Sequence, residues 1–379
     1  MKAQCKNRNA GFTLVELLMA MGVTMILLYS AVQVFRDATY SNQVVVQAAD
    51  MSDNLRAGLN LIQTDLQQAG TGIPPGGVHI PFTPDSSGCA TTAVINRPKL
   101  NGSTTFPNCS DTIPAVEPGN EMGPPITAPD ATSGTVQNPN SITDEITMLY
   151  QDNTLKLDSL PVYNTKQCPN GSLILTGTTL TVTFDPGCIN LTTAGILLQA
   201  GDLILLTNPM GNTLVCITGV NLASNSLTFA PGDPFGLNGR NEAGGTINQM
   251  EPNGCGGGNA CFPGTLATRV WMVSYYLDNT SSPPFVRLVR QINMYPPTPV
   301  GETLENLQFT YNFVDGIANP SNQPSVPSGN SESQIRSVNV YLGARSSYMV
   351  HEGGRSVYSR NNLMTQVSLR SMAYVNRYN

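Results

Sequence analysis

Near the start of the chain, GFTLVELL sets a glycine at 11, an aromatic residue at 12 and a carboxylate at 16. Glu16 is the only charge in the 24 residues from Phe12 to Phe35. A charged side chain at mid-membrane costs about 3 kcal/mol on insertion scales. Cleavage between Gly11 and Phe12 would account for it, because the cut creates a new α-amino group at Phe12. Positions 12 and 16 are four apart and share a helix face. Amine and carboxylate then neutralise each other, within one chain or between neighbours. An ion buried without such a partner costs several kcal/mol. Glycine at 11 suits the cut, since it lets a peptidase bring its catalytic groups close to backbone.

The element that must carry these residues is a long helix. A 24-residue run reaches about 36 Å, enough to cross a hydrocarbon core of about 30 Å. Lys2, Lys6 and Arg8 precede it and would remain cytoplasmic. The run is too long for an ordinary secretory signal and lacks a convincing small-residue cleavage site. Beyond Phe35, Ala48, Met51, Leu55, Leu59, Ile62, Leu66 and Ala69 follow helical spacing, with Asp50, Asp53, Arg56 and Asp65 off the stripe. Gly70, Gly72 and Pro74–Pro75 end the pattern. The spacing predicts one helix from about 13 to 69, membrane-like over 12–35 and amphipathic over 44–69.

GFTLVELL, with its basic leader and apolar run, resembles the type IV prepilin signature. The resemblance implies a leader of residues 1–11, cleavage after Gly11 by a membrane prepilin peptidase, N-methylation of Phe12, and a role for Glu16 in docking the subunit into an assembly. It implies no cofactor. Many major pilins have a proline midway along this helix; here none precedes Pro74, which favours a straighter helix.

The chain carries 19 Lys+Arg against 25 Asp+Glu, a formal charge of −6. Losing the leader's three basic residues lowers this to −9. An acidic balance argues against general nucleic-acid binding. Low charge and abundant Gly, Pro, Thr and Asn read as loop-rich β structure. Of eight cysteines, Cys5 lies in the leader. A signal-anchored chain places the other seven in an oxidising compartment, where disulfides are the default. Many pairings are open; the sequential one, Cys89–Cys109, Cys168–Cys188 and Cys255–Cys261, is simplest. Cys216, in the strand-like NTLVCITGV, reads as a buried free thiol.

Residues 71–140 read as an irregular, disulfide-closed loop region, and 141–379 as a β-rich globular domain. DEITMLYQ is the first secure strand, SLILTGTTLTVTF suggests a hairpin, and RVWMVSYYL is apolar on both faces, as a central strand should be. In LENLQFTYNF, Leu307, Phe309, Tyr311 and Phe313 alternate. AGDLILL, RVWMVSYYL, ENLQFTYNF, IRSVNVYLGARS and VSLRS resemble the PilW/PulJ-type minor pilins. That resemblance implies an α+β, type IV pilin-like fold: a long N-terminal helix packed on an antiparallel β-sheet domain with large loop insertions. It implies a structural subunit that primes pilus assembly or sits at the tip. Its partners would be other minor pilins, the major pilin and the inner-membrane assembly platform. The chain would be held single-pass in the inner membrane, with a periplasmic globular domain, before export into an extracellular pilus. A type II secretion pseudopilin shares helix and fold.

Catalytic signatures are missing. There is no G-x-S-x-G, H-E-x-x-H or phosphate-binding G-x-x-x-x-G-K-[ST]. GCGGGNAC reads as a disulfide-closed turn. His79 and His351 have no flanking ligands, and no CxxC suggests zinc. Asp233, Asn238 and Glu242 make calcium conceivable without EF-hand spacing. Arg336, Arg345, Arg355, Arg360, Arg370 and Arg377 face one acid, Glu352, which raises a basic face for DNA or an acidic partner. Alternation along strands argues that they point to different faces. The expectation is a structural protein with no catalytic or metal site; a tip adhesin or DNA-binding module is the alternative of another class.

Overall fold

The structure, a computed structural model, describes residues 13–81, 95–99, 106, 112–126, 142–155, 168, 170–193, 197–238, 247, 250, 262–280, 286–352 and 355–373. Helix α1 spans Leu14–Gln68, 55 residues without interruption. It stops where the sequence lays down glycine. The Gly70 N–H (φ 82°) turns back to the Leu149 carbonyl at 2.9 Å. At Gly72 (φ 70°) a Cβ would lie 2.0 Å from Gln151 Oε1, so no side chain fits.

The strands follow in chain order. β1 (Val78–His79), β2 (Thr112–Ile113) and β3 (Val116–Gly119) precede β4 (Glu145–Gln151). Next come β5 (Ser172–Thr176), β6 (Thr179–Thr183), β7 (Leu203–Asn208), β8 (Gly211–Cys216), β9 (Gly219–Asn221) and β10 (Ser226–Phe229). The long β11 (Leu266–Asp278) leads to β12 (Arg287–Ile292), β13 (Thr298–Glu302) and β14 (Leu304–Phe313). β15 (Ile335–Arg345), β16 (Val350–Glu352), β17 (Arg355–Val357), β18 (Arg360–Ser368) and the short α2 (Arg370–Ala373) complete the set.

All named pairings are antiparallel. The main sheet runs β13-β12-β11-β4-β3, with β7 also on β11 and β8 on β7. A second sheet, β14-β15-β18, lies beside it. Alternation in β14 buries Leu307, Phe309, Tyr311 and Phe313, as its period of two requires. The architecture is α+β, as the sequence implied.

β4 and β11 are neighbours in the sheet, yet residues 152–265 separate them in sequence. This inserted stretch supplies β7 and β8 and the four-stranded sheet β5-β6-β10-β9. The β7–β8 end of the main sheet is therefore covered on both faces. Leu203, Leu205, Leu214 and Cys216 join the core beneath α1, while Ile204, Leu206, Val215 and Ile217 join a second core under the insertion. Burial on both sides explains why AGDLILL reads as unbroken apolar sequence rather than as an alternation. Asp152 and Arg269 close the insertion's mouth with a buried ion pair, and Arg269 stacks 4.5 Å from the Trp271 ring.

The region expected to be irregular, 71–140, supplies β1, β2 and β3 among its described residues. Its Val78, Ile80, Ile95, Phe106, Ile113 and Val116 sit in the helix-side core. Short strands flanked by Pro and Gly carry too little period-two signal to stand out in sequence.

Candidate functional site: the amino-terminal helix and its seat

Gly11 and Phe12 lie outside the described residues. The helix they lead into begins with a reciprocal cap. Thr13 Oγ1 accepts the Glu16 N–H at 3.3 Å, and the Thr13 N–H and Oγ1–H donate to Glu16 Oε2 at 3.1 and 3.0 Å. This is a capping box, and Thr-x-x-Glu is its signature in the sequence. Glu16 therefore has a partner inside its own chain besides the amine expected of Phe12. Both bonds use Oε2. Among the described residues Oε1 takes none, so one carboxylate oxygen remains for a second partner.

The first part of α1, Leu14 to Phe35, packs on no other element among the described residues. Leu14 and Phe35, at its two ends, are each 75 % exposed, and its large apolar side chains are exposed throughout. Among the described residues α1 is the one helix long and apolar enough to cross a membrane. Its aliphatic hydroxyls are already satisfied: Thr24 donates to the Ala20 carbonyl at 2.9 Å and Ser30 to the Leu27 carbonyl at 2.8 Å. Such back-bonding lets polar residues sit in lipid without an orphaned donor.

The second half is seated on the sheets. Met51, Leu55, Leu59, Ile62, Leu66 and Ala69 are buried, whereas Ala48 is exposed, so packing starts one turn later than the stripe suggested. Gly58 lies against Leu288 and Leu342; a Cβ there would come within 2.8 and 3.0 Å of their Cδ2 atoms.

Asp65, read as off the stripe, is in fact 3 % exposed and is the polar centre of the seat. Arg290 grips it with two bonds, Nε to Oδ2 at 2.7 Å and Nη2 to Oδ1 at 3.1 Å. The Tyr150 hydroxyl donates to Oδ1 at 3.0 Å and the Tyr275 hydroxyl to Oδ2 at 2.6 Å. Burial first, and then the Asp65 charge, push both phenols well above their ordinary range, so they remain donors. The carboxylate thus carries a full set of charge-assisted bonds that join helix, β4, β11 and β12. The sequence signal was available only in combination: an acid near an amphipathic helix end and an arginine in an apolar strand, FVRLVRQI.

Cys168 and Cys188 are bonded, with Cα atoms 6.1 Å apart, and Cys216 is a buried free thiol. Burial first, then Asp233 and Asp202, push that thiol up to about 12. Cys89, Cys109, Cys255 and Cys261, and with them both other expected bridges and GCGGGNAC, lie outside the described residues, as does Glu242.

The conceivable calcium ligands are spent internally. Asp233 accepts the backbone N–H groups of Phe235, Leu237 and Asn238, and the Asn238 amide bridges Cys216 and Ala230. Among the described residues no cluster of His, Cys, Asp and Glu suits a metal. Among the described residues of the arginine-rich end, Arg345 and Arg360 both pair with Glu305, at 3.1 and 2.7 Å, while Arg336 and Arg370 are exposed. Arg377 and the side chains of Arg355 and His351 lie outside what is described; His79 is exposed.

Residues 6–28 match the family model described as the prokaryotic N-terminal methylation motif. No curated protein and no solved structure matches the chain. The matched motif, the exposed apolar helix behind it and the antiparallel sheets fit a type IV pilin-like fold and support a type IV pilin or pseudopilin subunit. The motif implies processing by a prepilin peptidase and assembly with other pilins, and with one apolar helix it suits membrane anchoring followed by incorporation into a pilus.

Proposed function

We propose that the chain is a minor type IV pilin of the PilW/PulJ type, a structural subunit that primes pilus assembly or sits at the tip. The leader is residues 1–11, the peptidase cuts after Gly11, Phe12 is N-methylated, and Glu16 guides docking. The globular domain waits in the periplasm until the subunit leaves the inner membrane. There it meets other minor pilins, the major pilin and the inner-membrane assembly platform.

The observation that carries this reading is the pairing of a methylation motif with a helix whose first half is wholly exposed in the monomer. Those side chains need one apolar environment in the bilayer and another in the assembly. Burying each large one removes about 1.5–3 kcal/mol of exposure cost, so a bundle of like helices is a strong sink. The inserted four-stranded module lies on the sheet face away from α1, where it leaves the helix free to pack.

The test is fractionation of cells that express the subunit at native level. Recovery in filaments sheared from the surface supports the pilus reading. Confinement to the envelope under piliating conditions points instead to a type II secretion pseudopilin. Finding it free in the medium, with its leader intact, refutes both.

A further inference from the structure

The apolar half of α1 fixes where a bilayer meets the chain. From Glu16 to Phe35 the helix covers about 29 Å, close to the thickness of a hydrocarbon core, and the next charges are Arg36 and Asp37. Tyr40 stands about 7.5 Å beyond Phe35, at the outer edge of a headgroup layer that is roughly 5–7.5 Å deep on each side. Its side chain, like every helical one, leans back toward the amino end and so toward the lipid.

The globular domain turns one rim to this layer. Thr71 contacts Ser371 at 3.1 Å, and the nearby Leu369 N–H donates to the Arg336 carbonyl at 2.9 Å, so β15 starts beside the end of α1. Leu342, later in β15, lies against Gly58. The helix from Thr71 to Gly58 and the strand from Arg336 to Leu342 each cover about 20 Å. β15 therefore runs alongside α1, back toward its amino end, and the chain leaves the strand heading for the membrane. There Tyr348 and Met349 come to lie beside Tyr40, Val44 and Val46, around a recess of about 560 Å³.

The rim has the chemistry of a lipid interface. Tyr348 is 70 % exposed, and Met349, Val45 and Val46 are exposed with it. Tyrosine pairs an apolar ring with a polar tip and collects at the headgroup level of membranes. The polar part of the recess, Asn42, Gln43 and Gln47, is uncharged. Asp50, the one charged lining residue, stands about 15 Å beyond Tyr40, clear of the headgroups. Arg36 and Asp37, the charges of α1 at the boundary, cancel. The turn is also held in place. Ser346 Oγ donates to the Tyr348 carbonyl at 2.8 Å and accepts the Ser359 N–H at 3.0 Å, and the Ser346 N–H donates to the Ser359 carbonyl at 2.8 Å. Side chains on a backbone fixed in advance lose less freedom when they dock.

We infer that Tyr40, Tyr348 and Met349 form a second membrane contact, a rim of the globular domain that rests in the headgroup layer of the leaflet from which α1 emerges. Its partner is a zwitterionic phospholipid interface. It rests on the reading of α1 as a membrane-spanning helix. A single helix lets the domain tilt and turn with it, whereas a second contact off the helix axis fixes the lean of the domain on the bilayer. Extraction into an assembly must then release both.

The test is depth quenching of the full chain in phosphatidylcholine nanodiscs, with a nitroxide on the lipid headgroup. A fluorescent label is attached at Ser347→Cys on the rim, at Phe35→Cys at the boundary, and at Ile317→Cys. Ile317 is exposed and follows Phe313, which pairs with Ile335 at the end of β15 away from the rim. Wild type, with its own cysteines, is the blank. The label at 347 should be quenched at least threefold more than the label at 317. Tyr348→Asp with Met349→Asp should cut quenching at 347 at least twofold, leave quenching at 35 unchanged and keep Cys216 protected. Quenching at 347 no stronger than at 317 overturns the inference. So does quenching at 347 that ignores the two aspartates, since the helix alone would then hold the rim at that depth. A label at 35 that escapes the nitroxide sinks the membrane-spanning reading itself, which separates that failure from a rim that does not dock.

Discussion

Asp65→Ala removes the acceptor at the centre of the helix seat. Arg290 then keeps a guanidinium facing two phenols that have lost their carboxylate. Breaking a buried ion pair from one side costs about 3–5 kcal/mol. Arg290 retains some access to water, its side chain being 20 % exposed, which argues for the lower end of that range. Tyr150 and Tyr275 each lose a charged acceptor, roughly 1 kcal/mol apiece net of rearrangement, and Tyr150 keeps its 3.2 Å contact with Arg290. The sum is about 5 kcal/mol, a large share of the roughly 5–15 kcal/mol that holds a typical fold together. Asp65→Asn keeps the shape and one acceptor oxygen and should cost about half as much. The assay is urea unfolding of full-length protein in detergent, followed by fluorescence of Trp271, the chain's single tryptophan, which pairs with Tyr150 across the sheet. Arg290→Met and the double variant complete a cycle whose coupling should exceed about 1.5 kcal/mol. If Asp65→Ala lies within 1 kcal/mol of wild type, the seat is apolar and the network is incidental.

Glu16→Ala should leave membrane level and leader cleavage unchanged, since removing a charge eases insertion by about 1–3 kcal/mol. Incorporation into sheared filaments should fall more than tenfold; equal recovery would show that the carboxylate is merely a cap. Glu117→Gln should flatten the dependence of stability on pH. Burial first, opposed by Arg97 and aided by Glu332, pushes the Glu117 carboxyl up to about 8. A raised acid favours the folded state fully below its unfolded value near 4.5 and loses that advantage as pH climbs to about 8, at roughly 1.4 kcal/mol per unit. Denaturant midpoints at pH 5 and 8 should therefore differ less in Glu117→Gln than in wild type, and an unchanged difference would assign the slope to other groups. Cys216 should resist iodoacetamide at pH 8 in the folded protein and react once unfolded, which peptide mapping reads directly; fast labelling in the native state would place the thiol at the surface.

Sequence alone carried the helix far and the sheets in part. α1 was legible because glycine and proline stop it cleanly and because its two halves have different, internally consistent periodicities. β4, β11, β14 and β15 were legible because they are long and either alternate or are buried on both faces. Asp65 was not, since a single acid just off a helical stripe reads as solvent-facing until the strands that oppose it are known. The insertion between β4 and β11 was equally hidden. Pairing of strands so distant in sequence leaves no local trace, and nothing in DEITMLYQ or RVWMVSYYL states that they are neighbours. The capping box is legible in Thr-x-x-Glu, where one carboxylate serves both the helix start and a charge partner in the membrane.

The most direct test lies at the amino terminus: the mass of the N-terminal peptide from protein purified out of membranes and filaments. A peptide that begins at Phe12 and carries one methyl group on its α-amine is the predicted result. A chain that retains residues 1–11 would contradict this, because Glu16 then has no amine to pair with, and so would one cut downstream of Ala20, which lacks Glu16 altogether.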